Sequence, residues 1–149
     1  MYNVDRVGRI QQLRATMEKR IILVDGAMGT RIQALNLPAE AFGGPDYEGC
    51  NEYLNITQPN SIKAIHRSFL ESGADIVTTN SFGSTPLVLG EYGLYDKAGE
   101  VSRAAAEIAR GEAEALSTEE WPRFVAGSMG PTTKAISVTG GVTWDELAE

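Results

Sequence analysis

The chain has 149 residues, of which 42% are apolar and 22% charged, and its formal net charge is −7. That length suits one domain of ordinary size, and the composition argues against wholesale disorder. The 13 basic residues are scattered, which disfavours nucleic acid as a partner, because phosphate binding needs Lys and Arg gathered on one face. The longest apolar run is four or five residues, too short to span a membrane. A single cysteine, and a start at Met1-Tyr2-Asn3-Val4 that lacks a secretory signal, point to the cytoplasm.

Val4, Val7, Ile10, Leu13 and Met17 recur every three or four residues, which predicts an amphipathic helix over 4–19. The run Ile21-Ile22-Leu23-Val24 predicts a first strand over 21–25, and residues 29–36 a short helix. Leu37-Pro38 and Phe42-Gly43-Gly44-Pro45-Asp46 read as one long loop. Pro59 suits the first turn of a helix capped by Gln58 or Thr57 and running to about Ser72, with Ile62, Ile65, Phe69 and Leu70 as its apolar stripe. Gly73 ends it, and residues 74–80 form a second strand. Thr85-Pro86 opens a short helical stretch. A longer helix rich in alanine and glutamate runs from about Asp96 to Leu116. Residues 123–127 make a third strand, and Thr143 with Glu146 forms a capping box ahead of a last helix.

Strands alternating with helices predict a parallel sheet built by right-handed crossovers. Each strand is followed at once by a glycine-bearing polar loop: Asp25-Gly26-Ala27-Met28-Gly29-Thr30, Asn80-Ser81-Phe82-Gly83-Ser84-Thr85, and Gly127-Ser128-Met129-Gly130-Pro131-Thr132-Thr133. All three would share the rim at the carboxyl ends of the strands, where α/β folds place their ligand sites. In the first loop the glycines uncover backbone N–H groups and Asp25 adds a negative charge. Such a loop can hold an amino acid by both ends, the aspartate taking the ammonium and the amides the carboxylate. Taken alone the first loop reads as an ordinary tight strand-to-helix turn, and all three loops could reflect the general preference of βα turns for Gly, Ser and Thr. The first loop is neither a P-loop nor a GxGxxG fingerprint. Three parallel strands leave two open edges, whereas a (β/α)₈ barrel needs eight strands and roughly 250 residues. The chain therefore reads as the first third or so of something larger.

Taken together, Ile22–Thr30, Asn51-Glu52-Tyr53-Leu54-Asn55, Ile65–Val77, Thr79–Thr85 and Val125–Thr132 resemble the homocysteine methyltransferase domain of the cobalamin-dependent methionine synthases. The resemblance runs from about residue 10 to the end. Betaine- and S-methylmethionine-dependent homocysteine methyltransferases share the domain with looser versions of these loops. Met28-Gly29-Thr30 and Gly130-Pro131-Thr132 look more like the cobalamin-dependent branch.

The resemblance implies that residues 1–149 are the N-terminal portion, about three βα units, of a (β/α)₈ TIM barrel, preceded by the short helix over 4–19. It implies homocysteine as substrate, zinc on the substrate sulfur, and methylcobalamin as donor, recharged from methyltetrahydrofolate by further domains. The family's zinc ligands are three cysteines, one on a middle strand and an adjacent pair late in the barrel. Cys50 matches none of them, and one Cys with one His cannot build a zinc site. This chain is thus expected to carry no catalytic or metal-binding residue, to bind no cofactor and to be inactive alone.

What carries over is the grip on the amino acid: Asp25 with the amides of Gly26 and Ala27, Asn80 at the end of the second strand, and Glu52 as a further rim candidate that also reads as a solvated loop residue. His66 is assigned no chemistry, and Trp121 and Trp144 read as core or interface packing. A non-catalytic amino-acid-binding module, or a remnant that completes a barrel with another chain, would fit the same loops.

Overall fold

A computed structural model describes residues 6–134, 136 and 140–148. Helix α1 (Arg6–Met17) is followed by the short α2 (Met28–Gln33). The stretch predicted as loop is instead wound into single 3₁₀ turns at Ala39–Phe42, Pro45–Tyr47 and Asn51–Tyr53. Gly43 and Gly44, at φ 101° and 130°, make the reversal between the first two; a side chain would be strained there. Helix α3 (Leu54–Thr57) leads into α4 (Pro59–Glu71), which Pro59 opens as expected, with Gln58 at the cap position but without a side-chain bond. Strand β1 (Ile76–Thr78), α5 (Pro86–Gly90), a 3₁₀ turn at Tyr95–Lys97, α6 (Ala98–Leu116), β2 (Phe124–Ala126) and α7 (Trp144–Ala148) complete the order. Two caps match their predicted residues. The Thr85 hydroxyl accepts from Val88 N, and the Thr143–Glu146 box forms, with Thr143 N and Oγ1 donating to Glu146 Oε2 at 2.7 and 2.8 Å.

Strands β1 and β2 pair in parallel, with Val77 opposite Val125. The expected strand over 21–25 does not form. Val24 makes one isolated parallel bridge to Ile76, supported by Asp25 N to Ile76 O (2.9 Å) and Ile76 N to Leu23 O (3.1 Å). The next rung of a parallel ladder would run from Thr78 N to the Asp25 carbonyl. Thr78 N donates instead to the Asp25 carboxylate, so the ladder stops. The other edge of 21–25 pairs with nothing among the described residues, and Ile21 and Leu23 are exposed. The segment still lies along β1, so three extended stretches run side by side in the order 21–25, β1, β2.

Helices α4 and α6 pack on each other and on the sheet through Leu70, Val77, Ala109 and Ala113. A second cluster joins Ile32, Phe42, Leu54, Ile62, Ile65 and Ile108, and a third gathers Cys50, Leu89, Leu94, Ala98 and Val101. Helix α1 buries none of its residues, contrary to the stripe read from its sequence, and Val4 lies outside the described residues. It leans on β2 through Arg9, whose guanidinium sits 4.8 Å from the Phe124 ring centroid, and leaves an open groove of about 800 Å³ against α6 and β2. Trp121 and Trp144, read as packing residues, are 43% and 70% exposed. No helix among the described residues is long and apolar enough to cross a membrane.

Candidate functional site

Asp25 ends the first extended segment and is half-buried. Its Oδ2 accepts from Thr78 N at 2.9 Å and its Oδ1 from Thr78 Oγ1 at 3.0 Å. A carboxylate oxygen has two lone pairs, so each oxygen keeps one acceptor direction open. Burial pushes the carboxyl above its ordinary value, and the two Thr78 donors pull it back. Gly26 and Ala27 follow on the exposed side. A Cβ on Gly26 would come within 3.1 Å of the Phe69 ring, so glycine lets this turn close against α4. Ala27 stands at the cap position of α2 with no side-chain bond to the first-turn amides.

Asn80 and Glu52, the other two predicted site residues, are brought to the same end of the sheet and are bonded there to loops. Asn80 is buried; its Nδ2 donates to Asn51 O at 2.8 Å and Asn55 Oδ1 at 3.3 Å. Asn55 Nδ2 returns a bond to Asn80 O at 2.7 Å. Glu52 Oε1 accepts from Gly83 N at 2.9 Å, so it is no free solvated glutamate. Asn55 is the residue that sequence reasoning missed, its one signal being its place in the Asn51–Asn55 motif. The loops after β1 and β2 are stitched in turn: Ser81 Oγ donates to Ser128 O (2.7 Å), Ser128 N to Thr79 Oγ1 (2.9 Å) and Gly130 N to Phe82 O (2.9 Å). The second and third loops are thus tied into one rim, and Asp25 at the head of the first is bonded to Thr78 at the end of β1.

The donor set for zinc is not built from these residues. Among the described residues no three His, Cys, Asp or Glu side chains gather as a metal site. Cys50 is buried in the cluster with Leu89 and Leu94, and burial pushes its thiol up to about 11, leaving it protonated and a poor ligand at neutral pH. His66 is wholly buried in α4, and neither ring nitrogen has a hydrogen-bond partner among the described residues.

The sequence profile of the homocysteine S-methyltransferases matches residues 22–149, from the segment before Asp25 through all three loops. The chain belongs to the homocysteine S-methyltransferase family. Among its relatives, the methionine synthase of Mycobacterium leprae is 45% identical over 122 residues, covering 82% of this chain, and that of Mycobacterium tuberculosis is 44% identical over 118 residues, covering 79%. The match takes in 10% of either relative, so the chain spans about a tenth of their length. Among solved structures, the homocysteine methyltransferase MmuM of Escherichia coli superposes with TM-scores of 0.65 in its metallated form and 0.66 in its oxidized form, at 28% identity. That superposition covers 80% of this chain and 41% and 40% of the MmuM chains. The α/β frame described above is therefore one that a homocysteine S-methyltransferase shares over part of its length.

Proposed function

We propose that residues 1–149 are the N-terminal portion of a homocysteine-binding (β/α)₈ domain, with α1 ahead of its first βα unit, and that the full-length protein methylates homocysteine to methionine. The observation that carries this reading is the 44–45% identity to mycobacterial methionine synthases over 118–122 residues, beside a family profile that runs through all three rim loops. On the same ground the donor is methylcobalamin, recharged from methyltetrahydrofolate by other domains of a cytoplasmic enzyme.

The part of this chain is to hold the amino acid. Asp25 takes the ammonium through its open lone pairs, and the amides around Gly26 and Ala27 take the carboxylate. Asn80 and Glu52 frame the grip by holding the Asn51–Asn55 segment against the second loop. Zinc, when bound, keeps the homocysteine sulfur as thiolate at neutral pH. The described residues make no ligand set for it, and no step of the transfer is assigned to them.

The test is methionine formation by the full-length protein from homocysteine with methylcobalamin, betaine or S-methylmethionine as donor. Methionine from methylcobalamin alone is expected. Turnover with betaine or S-methylmethionine instead would replace the donor, and no methionine from any of the three would overturn the proposal.

A further inference from the structure

We propose that Thr78 is a positioning residue for the amino-acid site, its hydroxyl and amide together aiming the Asp25 carboxylate at the substrate ammonium; the inference rests on Asp25 as the ammonium partner. Thr78 is the last residue of β1, and it meets the carboxylate at two points, Thr78 N to Oδ2 at 2.9 Å and Oγ1 to Oδ1 at 3.0 Å. One bond would leave the carboxylate free to turn about it. Two bonds from one residue, one to each oxygen, fix its plane and leave the remaining lone pair of each oxygen for a ligand.

The amide bond also takes the place of a backbone rung, so the backbone of the first segment and the aim of its terminal side chain are set by the same donor. A group fixed before the ligand arrives loses less freedom on binding. Both donors further favour the ionised form against the cost of burial, and an ammonium partner must be ionised. The hydroxyl is the separable part of this device, since any residue at 78 other than proline keeps the amide.

The experiment is calorimetric titration of homocysteine into the full-length protein and its Thr78→Val, Thr78→Ser, Asp25→Asn and Asp25→Asn/Thr78→Val variants, with melting temperatures alongside. Valine keeps the β-branched shape that a strand favours, and serine keeps the hydroxyl. Thr78→Val is expected to raise Kd roughly three- to tenfold, the usual worth of one hydrogen bond, and Thr78→Ser to stay within about twofold of the parent. Because Thr78 acts through Asp25, Thr78→Val in the Asp25→Asn background should change Kd by less than about twofold. An unchanged Kd in Thr78→Val, equal losses in the valine and serine variants, or additive losses in the double variant would each overturn the inference while Asp25→Asn still weakens binding. If Asp25→Asn binds homocysteine as the parent does, the reading of Asp25 falls and the inference with it.

Discussion

Asp75 precedes β1, and its side chain is wholly buried. Four donors reach its carboxylate: Arg20 Nη1 at 2.8 Å, Arg20 Nη2 at 2.6 Å, Leu23 N at 2.9 Å and Trp121 Nε1 at 2.6 Å. Burial works to raise its pKa, but these donors outweigh it and hold the group down at about 2 against an ordinary 3.8. A carboxyl depressed in the fold stabilises it fully above its unfolded value and loses that contribution as pH falls through the folded value. Stability should therefore drop by roughly 2 kcal/mol between about pH 4 and pH 2 on account of this residue. Asp75→Asn should lose a similar amount at pH 7 and lack that acid step, which urea unfolding from pH 2 to 7 would reveal; a parallel acid step in the variant would assign it elsewhere. The clamp joins residues 55 and 46 positions apart in sequence, Arg20 and Trp121 to Asp75. Such a link has no local pattern, which is why Asp75 reads from sequence as one more strand residue and Trp121 as packing. Asp25 is different. Its place at the end of the first extended segment is legible because an acidic residue and a glycine directly follow an apolar run, although its bonds to Thr78 are not.

Helices α4 and α6 hold the sheet from one face, and His66 is sealed in α4 with Glu112 of α6 as the charged group that acts on it, itself bonded to Arg67 at 2.8 Å. Burial pushes His66 down to about 4 from 6.5, with Glu112 opposing. Between those pH values the unfolded chain binds the extra proton, so stability falls as pH falls, by at most about 1.4 kcal/mol per unit. His66→Leu should flatten the stability profile between pH 6.5 and 4, since an apolar residue replaces a buried group that has no hydrogen-bond partner among the described residues. Urea unfolding at pH 7 and pH 5 would show it, and an unchanged slope would clear His66 of the effect. Both helices are legible in the sequence, α4 because its apolar residues recur at helical spacing between Pro59 and Gly73, and α6 because it is rich in the helix formers alanine and glutamate. The segment over 21–25 has an equally clear apolar run and makes one bridge only, because strand pairing depends on neighbours that no local pattern records. The 3₁₀ turns between Ala39 and Tyr53 are hidden for another reason: glycine and proline announce a break in regular structure without fixing how the chain winds there.

At the scale of the molecule, the described residues tie the second and third glycine-bearing loops together at one end of the sheet and gather no group of three His, Cys, Asp or Glu side chains. Its one cysteine and one histidine are both buried, the thiol held protonated and the imidazole held neutral. The purified 149-residue chain should therefore hold no stoichiometric zinc and methylate no homocysteine; one zinc per chain by elemental analysis would contradict that. Asp25 is the proposed grip on the ammonium of homocysteine. Its most direct test is the affinity of the full-length protein and its Asp25→Asn variant for homocysteine and for 4-mercaptobutanoate, which is homocysteine without the amino group. Asp25→Asn is expected to weaken homocysteine binding about ten- to a hundredfold, the worth of a charge-assisted hydrogen bond, and to leave 4-mercaptobutanoate binding unchanged. Equal losses for both ligands, or none for either, would contradict it.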